Sequence, residues 1–365
     1  MESTTYSNES GKDIARTRYV WLDYSKVLCI AGVVYGHCVA DVLSCYIFLF
    51  HVPIFFIISG ILYRPKRYID TLKSLFVPVL LFSLLLYPWH LYGIWNQGRG
   101  WSFETMVMEF VMGLFCYDFK VGFPIIPPFW FVMTLLVMRL ISDTLTKIKI
   151  DEWWMLPLCV AVLYFSEGDD VYYDYLFLPQ RALLCFPFFL FGQKLKPCLK
   201  WIIQLKWQLA VGGLIIGLVF QYFFGSFNTI SCTTNIFPSF YIIPVVVSFG
   251  IFGMCIIMAD WKGSLHWITV LSNGTLVILG LHELLLVVMR RLSGGWSAQF
   301  PIMEVVIVML VLYFPIVWIQ NITRLLLVQK AGRRSGCVLI SWISSIRSHT
   351  KRCIFNWKMI QNNDY

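Results

Sequence analysis

Runs of roughly 18 or more mostly apolar residues recur along the whole chain, and each is about what a ~30 Å hydrocarbon layer asks of one helix. Lipid offers no partner to a backbone N–H or C=O, so such runs fold as membrane helices and not as loops or open sheet. The composition agrees: of 365 residues, 58% are hydrophobic and 13% charged, with a mean hydropathy of +0.71. These values exclude an ordinary soluble domain. The first run carries charges inside it and lacks the small-residue cleavage pattern of a signal peptide, so it is expected to stay as the first span.

Ten candidate spans follow from the breaks, at 26–44, 46–63, 75–95, 129–146, 153–166, 176–194, 206–224, 237–258, 268–289 and 301–327. The expected fold is therefore an all-α, polytopic transmembrane helix bundle of about ten spans, residues 1–328, followed by a basic cytoplasmic tail, 329–365. An even number of spans puts both termini on one side. With a cytoplasmic N-terminus, the inside segments collect Arg16, Arg18, Arg64, Lys66, Arg67, Lys73, Arg139, Lys147, Lys194, Lys200, Lys262 and the tail. The outside segments hold Arg99, Lys120, Arg290 and Arg291. This asymmetry is the positive-inside pattern, and it accounts for the net charge of +9 by topology and contact with the lipid bilayer, leaving no nucleic-acid partner to explain. The outer segment 96–128 contains an apolar stretch at 105–117, too short to span and expected to lie at the interface or re-enter. In the tail, Val338, Leu339, Ile340, Trp342, Ile343 and Ile346 sit between charges, as in a helix lying on a membrane surface or in a disordered basic tail.

The eleven cysteines are scattered, mostly within apolar runs, and carry no metal-ligand spacing. No metal and no permanently bound cofactor is expected, and nothing in the sequence sets an oligomeric state.

Within the first run, "LDYSKVLCIAGVVYGHC" at 22–38 holds Asp23, Lys26 and His37. At about 100° per residue, Lys26 and His37 differ by about 20° and Asp23 and His37 by about 40°, so all three share one stripe. His37 lies roughly 16 Å along the axis from Lys26, near mid-membrane. Ionisable groups at that depth are costly unless they face a polar interior, which makes the stripe a candidate site. A hydrogen bond across helices is the alternative for His37, and a simple i,i+3 pair the alternative for Asp23 with Lys26.

The same stretch, followed by "FHVPIFFIISGILY" at 50–63, resembles the integral-membrane acyltransferase family 3, ten-span O-acyltransferases of bacterial glycans. Leu22, Asp23, Lys26 and His37 match the spacing of that family's first span, and Phe50, His51, Pro53, Phe55, Phe56, Ser59, Gly60 and Leu62 match its second. "PPFWFVMTLL" at 127–136, "RALLCFPFFLFGQKL" at 181–195 and "LSNGTLVILGLHELLL" at 271–286 resemble later elements in the same order. Two departures stand out: Lys26 replaces the usual arginine, exchanging a rigid fork for a point charge, and the RxxR spacing of Arg64 and Arg67 falls early.

The resemblance implies a membrane O-acyltransferase, a transferase of groups other than aminoacyl, sited in the bacterial inner membrane. It would move an acyl group, acetyl in the first place, from acetyl-CoA or another acyl-CoA to a hydroxyl of a cell-surface or lipid-linked glycan. His37 is then the expected general base, with Lys26 and Asp23 beside it. Arg64, Arg67 and Lys73 form a basic cluster suited to the donor's phosphates, although positive-inside charge alone also produces such a loop. His51, Ser59, Trp130, Arg181, His282 and Glu283 are expected to bind substrate or support the site; for His51 and Trp130 an interfacial or packing role is the alternative. The competing reading is a ten-helix transporter or flippase for a polar or lipid-linked substrate.

Overall fold

The computed structural model describes residues 18–96, 102–115, 126–166, 178–224 and 239–334. The acidic stretch from residue 167 to 175 and the tail from residue 335, with its expected surface helix, lie outside them. Among the described residues every regular element is helical and there is no strand. In chain order the α-helices are α1 (Val20–Cys38), α2 (Val42–Phe48), α3 (His51–Ile61), α4 (Tyr68–Asn96), α5 (Phe103–Leu114), α6 (Trp130–Ile148) and α7 (Met155–Ser166). They continue as α8 (Leu178–Leu195), α9 (Leu199–Gln204), α10 (Lys206–Phe224), α11 (Ser239–Lys262), α12 (His266–Asn273), α13 (Thr275–Leu292) and α14 (Pro301–Arg334). The chain forms two compact units, Met1–Tyr313 and Phe314–Tyr365, and among the described residues the second consists of the remainder of α14.

Among the described residues, five helical segments are long and apolar enough to cross a membrane: Val42–Ile61, Tyr68–Gly93, Leu178–Gln204, Phe240–Lys262 and Pro301–Ile322. A sixth is added if α12 and α13, bent by 80° at Gly274, count as one span. The sequence reading of ten spans has a physical reason for exceeding this number. Helices α1 and α6 reach the length but carry Asp23 and Lys26, and Arg139, Asp143 and Lys147, respectively. The apolar part of the segment containing α7, and that of α10, are short. The uninterrupted ninth span expected at 268–289 is instead broken after Asn273. The short apolar stretch expected near 105–117 is helical as α5, with Val107, Met108 and Val111 exposed.

Several helices contain proline: Pro78 and Pro88 in α4, Pro187 in α8, Pro244 in α11 and Pro315 in α14. Such breaks are tolerated in membrane helices because neighbours and small polar side chains satisfy the freed carbonyls. In α11, one turn past its proline, Ser248 Oγ donates back to the Pro244 carbonyl at 2.6 Å.

Helix α1 is the hub of the first unit, packing against α2, α3, α11, α12 and α13. Its turn into α2 is fixed by Asp41, whose carboxylate accepts from the Ser44 amide at 2.8 Å and the Tyr35 hydroxyl at 2.7 Å. The Ser44 amide first, and then the Tyr35 hydroxyl, hold the Asp41 carboxyl below its ordinary range. Helix α3 is locked to α8 by backbone contact. A Cβ on Gly60 would stand 2.0 Å from the Phe189 carbonyl oxygen, and one on Gly192 would stand 2.0 Å from that of Ile57. Small residues at such a crossing let dispersion act between main chains, which is how helices associate where lipid is as apolar as their side chains.

This crossing yields a test. Gly192→Ala is expected to lower the thermal unfolding midpoint of the detergent-purified protein, at the ~1–3 kcal/mol typical of overpacking. Gly212→Ala, where a new Cβ meets nothing within 4 Å, should leave the midpoint unchanged or raise it. Equal midpoints for the two variants would contradict the close crossing.

Candidate active site

A cavity of about 300 Å³ opens between α1, α3, α6 and α13. Each wall is one helical stripe. From α1 come Lys26, Ile30, Val33, Gly36 and His37; from α3, His51, Phe55, Ile58, Ser59 and Leu62; from α6, Phe131, Leu135 and Arg139. Thr275, Leu276 and Leu279 close it from α13, just past the bend, and Trp130 stands at the start of α6. The lining is apolar along its middle and polar at its ends. Lys26 and Arg139 mark one end, and His37 and His51 the other, separated along α1 by roughly 16 Å.

The histidine end is the more organised. His37 Nδ1 lies 3.1 Å from Glu283 Oε1 of α13, and the two side chains are 39% and 31% exposed; of the two, His37 lines the cavity. The ring of His282 stands edge-on to that of His37, with centroids 4.9 Å apart. His282 Nδ1 faces the Ile278 carbonyl at 2.9 Å, and its Nε2 is buried with no hydrogen-bond partner. His51 Nδ1 similarly faces the Ile47 carbonyl at 2.9 Å. His37 thus differs from the other two in having a carboxylate against its Nδ1, while they have main-chain carbonyls.

A second contact fixes the end of α1 that carries His37. Arg290, in the last turn of α13, donates to both carboxylate oxygens of Glu304 at 3.1 and 2.8 Å and to the Cys38 carbonyl at 2.8 Å. Ser297 Oγ also donates to Glu304 at 2.8 Å. The fully buried Glu304 therefore accepts three hydrogen bonds from these two residues, and its two-pronged pairing with Arg290 has a defined direction. From the sequence, Arg290 was only an outside charge.

Asp23 lies off the cavity. It is buried, accepting from Arg18 Nε at 2.8 Å and from Ser272 Oγ at 2.6 Å, and among the described residues no ion pair joins it to Lys26. Its role is to tie the start of α1 to the end of α12. Lys26 is thereby left facing the cavity with Arg139, a residue that sequence reasoning took only as a topological charge. The signal that could have found Arg139 is its place at i+8 from Phe131 and i+4 from Leu135 in an otherwise apolar helix.

Arg64, Arg67 and Lys73 are exposed and do not line the cavity; Arg67 pairs with Asp70 at 2.9 Å. Their loop is nevertheless held at the Arg139 end of α6. Buried Asp143, one turn beyond Arg139, accepts from Tyr63 Oη at 2.8 Å, the Lys66 amide at 3.1 Å and Thr71 Oγ1 at 2.8 Å. Asp143 was missed as well, because a lone acid at a helix end reads as a solvated charge. Arg181 is 3% exposed, and its guanidinium stands 5.3 Å from the centre of the Trp130 ring, a cation against a π face.

The structure therefore brings Lys26, His37, His51, Ser59 and Trp130 to one cavity. It sets His282 and Glu283 against His37, Arg181 behind Trp130, and Asp23 with the basic loop outside. The family model described as an acyltransferase domain, Acyl_transf_3, matches residues 19–320. No curated protein and no solved structure matches the chain. The matched segment takes in every helix that bounds the cavity, and the chain belongs to this acyltransferase family.

Proposed function

We propose that the protein is an acyl-CoA-dependent membrane O-acyltransferase that moves an acyl group, acetyl in the first place, to a hydroxyl of a cell-surface or lipid-linked glycan, with His37 as general base. The observation that carries this reading is a single cavity with two cations at one end and a carboxylate-held imidazole at the other. Its volume suits the acyl-thioester end of the donor and not the nucleotide. The phosphates would remain outside, near Arg64, Arg67 and Lys73, while Lys26 and Arg139 would donate hydrogen bonds to the amide carbonyls of the uncharged arm that enters.

In this reading Glu283 accepts the Nδ1–H of His37 and leaves the Nε2 lone pair free. The acceptor hydroxyl gives its proton to Nε2 as its oxygen bonds to the thioester carbonyl carbon. The tetrahedral intermediate then collapses, the C–S bond breaks, and His37 returns the proton to the departing thiolate. Glu283 stabilises the imidazolium formed between the two steps. Arg290 and Glu304 act as positioning residues, holding the Cys38 carbonyl and with it the ring of His37. His51, Ser59 and Trp130 form the wall that an acceptor would meet, and Arg181 supports Trp130. Ten spans, cytoplasmic termini and an inner-membrane location fit the sidedness of the charges and supply the donor from the cytosol.

Two tests follow. With labelled acetyl-CoA and cell-envelope glycan, His37→Ala should reduce transfer by about 10²–10⁴-fold and Glu283→Gln by at least about tenfold, at equal protein levels. Transfer unchanged in His37→Ala would remove it as the base. Asp143→Ala leaves the Tyr63, Lys66 and Thr71 donors without their acceptor, so proteolytic cleavage within 64–67 should accelerate and the KM for the donor should rise more than kcat falls. A kcat loss at constant KM would show that the loop does not serve the donor.

A further inference from the structure

We propose that His37, His282 and Glu283 together bind one divalent transition-metal cation, Zn2+ in the first place, and that its occupation switches acyl transfer off. The second half rests on the reading of His37 as the base; the first half does not.

One nitrogen from each imidazole and a carboxylate oxygen of Glu283 lie within 4.8 Å of one another. They come from α1 and α13, which sequence spacing could not have brought together. His282 supplies the strongest indication. A carbonyl oxygen only accepts, so the contacts of His282 Nδ1 with the Ile278 and Leu279 carbonyls at 2.9 and 3.1 Å put the ring proton on Nδ1. Nε2 then carries a bare lone pair. It is buried in a fully buried side chain and has no donor. An imidazole whose far nitrogen is tied to a main-chain carbonyl, with its near nitrogen bare, is the arrangement that metal-binding histidines adopt.

Two neutral imidazoles and one carboxylate make an N2O set, suited to Zn2+ and not to Mg2+ or Ca2+, which prefer oxygen. Around tetrahedral zinc with bonds of about 2.0–2.1 Å, donor atoms stand about 3.3 Å apart. The His37–Glu283 edge is already 3.1 Å. The remaining edges need to close by at most about 1.5 Å, which rotations of the half-exposed His37 and Glu283 side chains can supply. Glu283 brings the negative charge, and the neighbouring cation on α13, Arg290, is committed to Glu304 and the Cys38 carbonyl. The fourth position of the metal is left to water or a small anion.

Binding disables the base whichever ring nitrogen of His37 takes the metal. At Nε2 the metal consumes the lone pair that accepts the hydroxyl proton. At Nδ1 it displaces the proton shared with Glu283, and the neutral ring then carries its one proton on Nε2. Neither state can accept from the glycan.

The test uses full-length protein purified in detergent and stripped with a chelator. Zn2+ is titrated calorimetrically, and Co2+ is followed by the visible absorption of a four-coordinate ion. Wild type is expected to take one equivalent with a four-coordinate spectrum, and both His282→Gln and Glu283→Gln to weaken binding at least tenfold. Glu283 is partly exposed, so that variant keeps the test open if His282→Gln fails to fold, as judged by gel filtration and thermal unfolding. Zn2+ should inhibit labelled acetyl transfer over the concentration range of binding, with reversal by chelator. No stoichiometric binding by wild type, or undiminished binding by the folded variants, overturns the site. Stoichiometric binding without inhibition overturns the switch. Absence of transfer from metal-free wild type is a failure of the acyltransferase reading, and the calorimetric arm then still decides the metal site.

Discussion

A charge or strong dipole that faces hydrocarbon costs several kcal/mol, and α1 carries three ionisable side chains along one stripe. That single constraint puts α1 in the middle of its unit and determines what surrounds it. At its start, Asp23 is met by Arg18 and Ser272; at its end, His37 is met by Glu283 and the Cys38 carbonyl by Arg290. Both ends are therefore tied to the α12–α13 pair, which is bent at Gly274 between the two attachment points. Just past that bend, Thr275 and Leu276 stand in the cavity wall.

The same constraint divides labour among the helices. Those that meet the length and apolarity of a simple span, such as α4 and the Pro301–Ile322 segment of α14, can lie against lipid over much of their surface. Those with the chemistry, α1 and α6, are too polar to pass the same test and depend on neighbours to shield them. The close crossing of α3 on α8 at Gly60 and Gly192 supplies part of that shield, since it draws α3, with His51 and Ser59, into the wall opposite α1.

How far the sequence could be read follows from which interactions are local. Lys26 and His37 share a stripe by helical period alone, and Phe55 with Ser59 does so on α3, so the cavity's two most regular walls were legible. The all-helical class was legible from run length. The pairing of Glu283 with His37 was not, because it joins residues 246 apart in the chain, and nothing in either helix specifies the crossing that brings them within 3.1 Å. Asp143 and Arg290 were hidden for a related reason. Each is a charge near a helix end, and its importance lies in groups contributed by distant or irregular segments: Tyr63, Lys66 and Thr71 for Asp143, and Glu304 and the Cys38 carbonyl for Arg290. Asp23 shows the opposite error: an i,i+3 neighbour of opposite sign was at hand, yet the shorter-reaching carboxylate is held by Arg18 and by Ser272.

The consequence of that exchange reaches the chemistry. With Asp23 held by Arg18 and Ser272, Lys26 lines the cavity without an ion-pair partner among the described residues, and Arg139 joins it from the facing wall. Two cations at one end and a carboxylate-buffered imidazole at the other give the cavity a polarity along its length. In the proposed reading, an anionic donor would be drawn to the first end and its neutral acyl group would extend towards the second. Arginine at position 26 would offer a fork to a single carboxylate or phosphate, whereas lysine offers a point charge with a short, movable reach. Arg139, from another helix, carries the guanidinium that lines the cavity together with the ammonium of Lys26.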